Sequence, residues 1–205
     1  GPGANPANFV TMSGNTLITG SISVATAKKT LPPVNIAPQT CSDLTVNANN
    51  TVTLPAGNYC YKSINVSGNG VLNFSGAAKL TATNDISISG NGKVNFSAAT
   101  DVYVKGSVSI SGNGVGTAQN RPPNLKFFVQ GASVSISGNG HFYGAVYAPT
   151  AAFSHSGNGQ LFGAVVSRSV SDSGNAAIHY DEALNESGET TATNRLLAWQ
   201  EAGIV

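Results

Sequence analysis

An all-β fold is predicted for this 205-residue chain, a right-handed parallel β-helix of about seven coils with a short carboxy-terminal capping segment, and three observations predict it. The tetrapeptide Ser-Gly-Asn-Gly recurs at 67, 89, 111, 137 and 156, with Ser13-Gly14-Asn15-Thr16 and Ser173-Gly174-Asn175-Ala176 as degenerate outer copies. From Ser67 onward successive copies are 22, 22, 26, 19 and 17 residues apart, a period that suits one coil of a β-solenoid rather than a helical-hairpin repeat. Apolar and small polar residues alternate on both sides of each tetrad, as side chains do along a strand. The right hand follows the general preference of parallel crossovers.

Residues 1–30 are expected to hold a first strand pair or coil, with Gly1-Pro2-Gly3 read as a protease-cleavage scar. Residues 31–62 read as a proline- and cysteine-bearing lead-in segment. Its Cys41 and Cys60 are expected to form a disulfide that closes a short loop, which implies an oxidising compartment. Two buried free thiols are the alternative.

Residues 63–184 are the regular coils. Aligned on the tetrad serine, the column three residues upstream reads Val10, Ile64, Ile86, Val108, Val134, Phe153 and Val170. The column one upstream reads Met12, Val66, Ile88, Ile110, Ile136, His155 and Asp172. Both are assigned to the core, and the residues between them (Thr11, Asn65, Ser87, Ser109, Ser135, Ser154, Ser171) to a solvated face. Five residues downstream, Ile18, Leu72, Val94, Phe142, Leu161 and Ile178 point inward again.

The Gly-Asn-Gly between the two runs marks a corner, because glycine accepts positive φ and asparagine enters the left-handed region more readily than most residues. Stacked corners bring Asn69, Asn91, Asn113, Asn139, Asn158 and Asn175 into register about 4.8 Å apart, where their amides form a structural ladder. Between the copies at 111 and 137, Thr117–Pro123 leaves the stack as a loop. Residues 185–205 are expected to cap the open end.

Only 9% of residues are charged and the net charge is +1. Lysines and arginines are scattered singly, which argues against nucleic acid as a partner. Between the tetrads at Ser67 and Ser173 the acidic residues are Asp85, Asp101 and Asp172, with Asp181 and Glu182 just beyond, and the histidines His141, His155 and His179 fall in different columns. No catalytic residue, metal or cofactor is assigned on that pattern. His155 and Asp172, ending the inward isoleucine column, are expected to meet as a buried polar pair. A hydrogen-bonded plug at the tapering end of the core explains them, and a perturbed functional pair is the alternative. Tyr103, Tyr143 and Phe162 are outward-facing by parity and are the ligand-binding candidates. Tyr143 and Phe162 share a column on neighbouring coils, a pair suited to stacking on a sugar, with lateral contact to the carboxy-terminal tail as the alternative.

The runs Gly144-Ala145-Val146-Tyr147-Ala148-Pro149, Gly163-Ala164-Val165-Val166 and Ile178-His179-Tyr180-Asp181-Glu182-Ala183-Leu184 resemble those that close the β-solenoid domain of PilX-like, type IV pilus assembly-associated bacterial surface proteins. The resemblance covers about residues 40–205. It implies an exported domain at the cell surface, tethered by an amino-terminal pilin-like helix absent from this sequence, with other pilin-like or envelope proteins as partners and no enzymatic activity. The expected function is a non-enzymatic structural or adhesive ectodomain acting through an extended polar face. A carbohydrate-binding or polysaccharide-active β-helix with surface glycans as partners is the alternative.

Overall fold

The computed structural model describes residues 10, 30–111, 113–117 and 120–186. Within them the chain winds into a parallel β-solenoid of about six turns. The outer copy at Ser13 and the proposed cap at 187–205 lie outside the described residues.

Each of the first four turns contributes three short strands, one to each of three faces. They are β1 (Leu44–Val46), β2 (Thr51–Leu54) and β3 (Gly57–Tyr61); then β4 (Ile64–Val66), β5 (Val71–Phe74) and β6 (Ala78–Ala82). β7 (Ile86–Ile88), β8 (Lys93–Phe96) and β9 (Thr100–Val104) follow, and then β10 (Val108–Ile110), β11 (Val115–Thr117) and β12 (Leu125–Val129). After β13 (Ser133–Ile136), the strands β14 (Phe142–His155) and β15 (Gln160–Asp172) run on through the corners that break the earlier turns. β16 (Ala177–Tyr180) and a single helical turn, α1 (Ala183–Glu186), end the described chain.

The first face stacks β1, β4, β7, β10 and β13 onto the last part of β14. The second stacks β2, β5, β8, β11, the first part of β14, β15 and β16. The third stacks β3, β6, β9, β12 and the middle of β14. Regular pairing begins at Leu44, opposite Ile64, so the lead-in segment already contains a full turn.

The inward columns of the sequence meet residue for residue: Ile64, Ile86, Val108, Val134 and Phe153 in one file, and Val66, Ile88, Ile110, Ile136 and His155 in the next. Most are 0–4% exposed, and Phe74 stacks on Phe96 with centroids 4.9 Å apart. Burying such side chains is worth roughly 1.5–3 kcal/mol each. This makes the core a continuous line of turn-on-turn contacts.

Three expectations change. Val170 is 45% exposed, because among the described residues no strand covers that half of β15. The left-handed corner residue is the first glycine of the tetrad (Gly68, Gly90, Gly138, Gly157 and Gly174 all have positive φ), not the asparagine. At the copy starting at Ser111 the register slips by one: Val115, not Gly116, pairs with Val94 and with Phe142.

Cys41 and Cys60 are disulfide-bonded with Cα atoms 5.7 Å apart. The bond ties residue 41 to the first turn of the third face. The Tyr147 hydroxyl, on the same face four turns further on, donates to the Pro32 carbonyl at 2.6 Å. Residues 32–41 therefore run lengthwise along the third face as a strap.

Candidate functional site

The outer columns divide by chemistry, because turns stacked about 4.8 Å apart place like beside like. At the tetrad corner the ladder forms in two flights. Asn69 donates to Asn49 (2.8 Å) and Asn91 to Asn69 (2.9 Å); beyond the slip, Asn158 donates to Asn139 (2.9 Å) and Asn175 to Asn158 (3.0 Å). Asn113 falls out of line. Its amide reaches only the Asn91 backbone carbonyl, at 3.5 Å. Asn49 joins the ladder from a corner with no tetrad, where Ala48 takes the positive φ.

On the second face one outward file runs Thr53, Asn73, Asn95, then Gly116 beside Tyr143, then Phe162 and His179. Its lower part is a second amide ladder, Asn95 donating to Asn73 at 2.8 Å. Its upper part is an aromatic row. Tyr143 and Phe162 stack at 5.0 Å and 8°, as their shared column predicted, and His179 continues the stack on Phe162 at 4.8 Å and 14°. His141 stands edge-on to both, 6.3 Å from Tyr143 and 6.0 Å from Phe162, and its Nδ1 accepts from the Gln160 amide.

Tyr103 belongs elsewhere. It lies on the third face, stacked on Phe128 at 4.9 Å, with Phe128 next to Tyr147 and the Lys79 ammonium 4.9 Å above the Tyr103 ring. This second row is the one that the strap reaches through Tyr147, whose phenol pKa is pushed up by burial. Tyr103 is thus not joined to Tyr143 and Phe162 in one site.

His155 and Asp172 do meet, Nδ1 to Oδ1 at 3.2 Å, but they are not a buried pair. His155 is 1% exposed and the Asp172 side chain 29%, since Asp172 lies on the uncovered half of β15. Among the described residues neither ring nitrogen of His155 makes a hydrogen bond of good geometry, so Nδ1 meets Asp172 as an electrostatic contact. Burial holds the imidazole below its ordinary 6.5, against the opposing pull of the Asp172 charge. No cluster of three or more His, Cys, Asp or Glu side chains fit to hold a metal is present among the described residues.

Sequence parity could have placed His179 in the aromatic row, six residues beyond its serine as Tyr143 and Phe162 are. The gap at Gly116 could not be read that way. Counting from Ser111 assigns Gly116 to the core and Thr117 to the outer file.

Residues 7–187 match the model of a family described as a domain of unknown function, DUF7305, and the chain belongs to that family. No curated protein and no solved structure matches the chain. The Cys41–Cys60 bond points to an oxidising environment.

Proposed function

We propose that this member of the family is an exported, non-enzymatic β-solenoid with a structural and adhesive role at a bacterial surface, within a pilus-like or secretion-associated assembly. The observation that carries the reading is the division of labour among its outward side chains. Asparagine and serine files tie turn to turn, while the row Tyr143, Phe162 and His179 is offered to solvent on one face. Partly exposed aromatic groups on a rigid, polar scaffold suit contact with surface partners. Export is supported by the disulfide. Association with pilin-like or envelope proteins is supported by the resemblance of the closing runs from Gly144, Gly163 and Ile178 to those of PilX-like proteins.

The same row favours a second reading in which the surface partner is a glycan, since aromatic groups pack against sugar rings. A protease-shaving and adhesion assay on the natural, full-length protein in its own cells tests the proposal. The domain is expected to be cleaved from intact cells, and cells carrying Tyr143→Ala with Phe162→Ala are expected to adhere less. Protein confined to the cytoplasm, or adhesion unchanged by deleting the gene, would overturn the role. Breakdown of a polysaccharide by the purified domain would overturn its non-enzymatic part.

A further inference from the structure

β11 carries Gly116 where the turn before it carries Asn95 and the turn after carries Tyr143. Its backbone does not need a glycine. Gly116 is not among the glycines with positive φ, and among the described residues a Cβ there would meet a single atom within 4 Å, Asn95 Oδ1 at 3.4 Å. The corner glycines differ: a Cβ on Gly70 or Gly92 would run into the carbonyl oxygen of Val46 or Val66. A glycine inside a strand weakens it, and commonly marks a bulge or a place where another backbone or a ligand comes close. Among the described residues, and leaving out its chain neighbours, no backbone atom lies within 4 Å of that Cβ position. The gap is one missing rung, about 4.8 Å along the stack.

We infer that this gap is a binding slot for one pyranose ring bearing a carboxylate, a uronate unit of an acidic polysaccharide, an assignment that rests on the surface-binding reading above. Within the aromatic row each ring's face is spent on its neighbour: Phe162 lies between Tyr143 and His179. Phe162 covers one face of Tyr143, and the other is turned toward β11, where Gly116 places no side chain against it. The C–H face of a sugar fits there. On the β8 side of Gly116, a recess of about 250 Å³ is lined by Lys93, Asn95, Phe96, Ser97, Gly116, Thr117 and Asn120. Ligand pockets for drug-sized molecules run from about 300 to 1,000 Å³, so this recess holds a single sugar unit. The amides and hydroxyls supply donors and acceptors for sugar hydroxyls. Among the described residues Lys93 supplies the only charge in the lining, an ammonium suited to a carboxylate.

The test is titration of the purified domain with uronate oligomers and, in parallel, with neutral glucose oligomers of equal length, followed by NMR or calorimetry. Binding of the uronate oligomer at least about tenfold tighter than the neutral one is expected. Lys93→Gln is expected to abolish that preference. Gly116→Asn, which extends the Asn73–Asn95 ladder by a rung, is expected to abolish binding with no loss of thermal stability. No uronate binding, equal binding by Gly116→Asn, or no preference over the neutral oligomer would each overturn the assignment. These outcomes are separable from those of the adhesion assay: a surface-exposed, adhesive protein whose slot binds no uronate sinks the slot alone, and a slot that binds uronate on a protein confined to the cytoplasm sinks the role alone.

Discussion

Val134 and Val170 occupy the same repeat column, and truncating each to alanine separates turn-on-turn packing from mere hydrophobicity. Val134 is 1% exposed and lies between Val108 and Phe153 in register. Val170 has Phe153 on one side and is 45% exposed. Valine to alanine removes two carbons, worth about 1.6 kcal/mol at ~0.8 kcal/mol each when fully buried. At Val134 a cavity term adds to this, because both flanking turns are held by in-register strand pairing and cannot collapse into the space. The expected cost is about 2–3 kcal/mol. At Val170 roughly half of the side chain already meets water and no cavity forms, so the cost stays under about 1 kcal/mol. Urea unfolding reads both as midpoint shifts at unchanged slope. Equal costs, or a Val134→Ala cost under about 1 kcal/mol, would mean that the inward columns do not pack turn upon turn.

Replacing Cys41 and Cys60 together by serine is expected to cost about 3 kcal/mol for a bridge spanning 19 residues; with the strap's anchor gone, the raised Tyr147 phenol is also expected to titrate closer to its ordinary value in ultraviolet absorbance. Asn69→Ala, which breaks two ladder bonds, is expected to cost about 1 kcal/mol in thermal or urea unfolding, against less than about 0.5 kcal/mol for the off-ladder Asn113→Ala. Burial keeps His155 neutral in the folded chain at pH values where the unfolded chain protonates it. The contribution is therefore complete above about pH 6.5 and is lost as pH falls below it, by at most about 1.4 kcal/mol per pH unit. His155→Leu is expected to flatten that acid limb of the stability–pH curve, and an unchanged limb would place the acid sensitivity elsewhere.

The parity of short strands carried most of the fold into the sequence. Because the side-chain period is two, a serine-anchored alignment was enough to name Ile88, Ile110 and Ile136 as stacked neighbours and Tyr143 and Phe162 as outward partners. What alternation cannot say is where a stack ends. Val170 and Asp172 continue the inward pattern faithfully, yet the described chain lays nothing over them. A one-residue slip is equally silent, since the tetrad at Ser111 is intact while its corner is shorter, which displaced both Asn113 and Gly116. The strap at 32–41 has no period at all, and its place depends on the Cys41–Cys60 bond at one end and one distant hydroxyl, Tyr147, at the other.

The fourth turn concentrates these departures. It puts Asn113 out of the corner ladder, interrupts the Asn73–Asn95 ladder with Gly116, and carries the short helical turn Pro122–Asn124 ahead of β12. Another regular turn would be more stable, because a strand glycine costs about 0.5–1 kcal/mol relative to alanine and each missing ladder bond about 1 kcal/mol more. Chains that break their own local rules do so mainly where function requires it. Here the break falls directly beneath the row Tyr143, Phe162 and His179, on the same face. Repairing the turn should therefore trade binding for stability. Gly116→Asn is expected to raise the unfolding midpoint while closing the space under Tyr143, whereas the same substitution could not gain stability if that space were already filled by the protein itself.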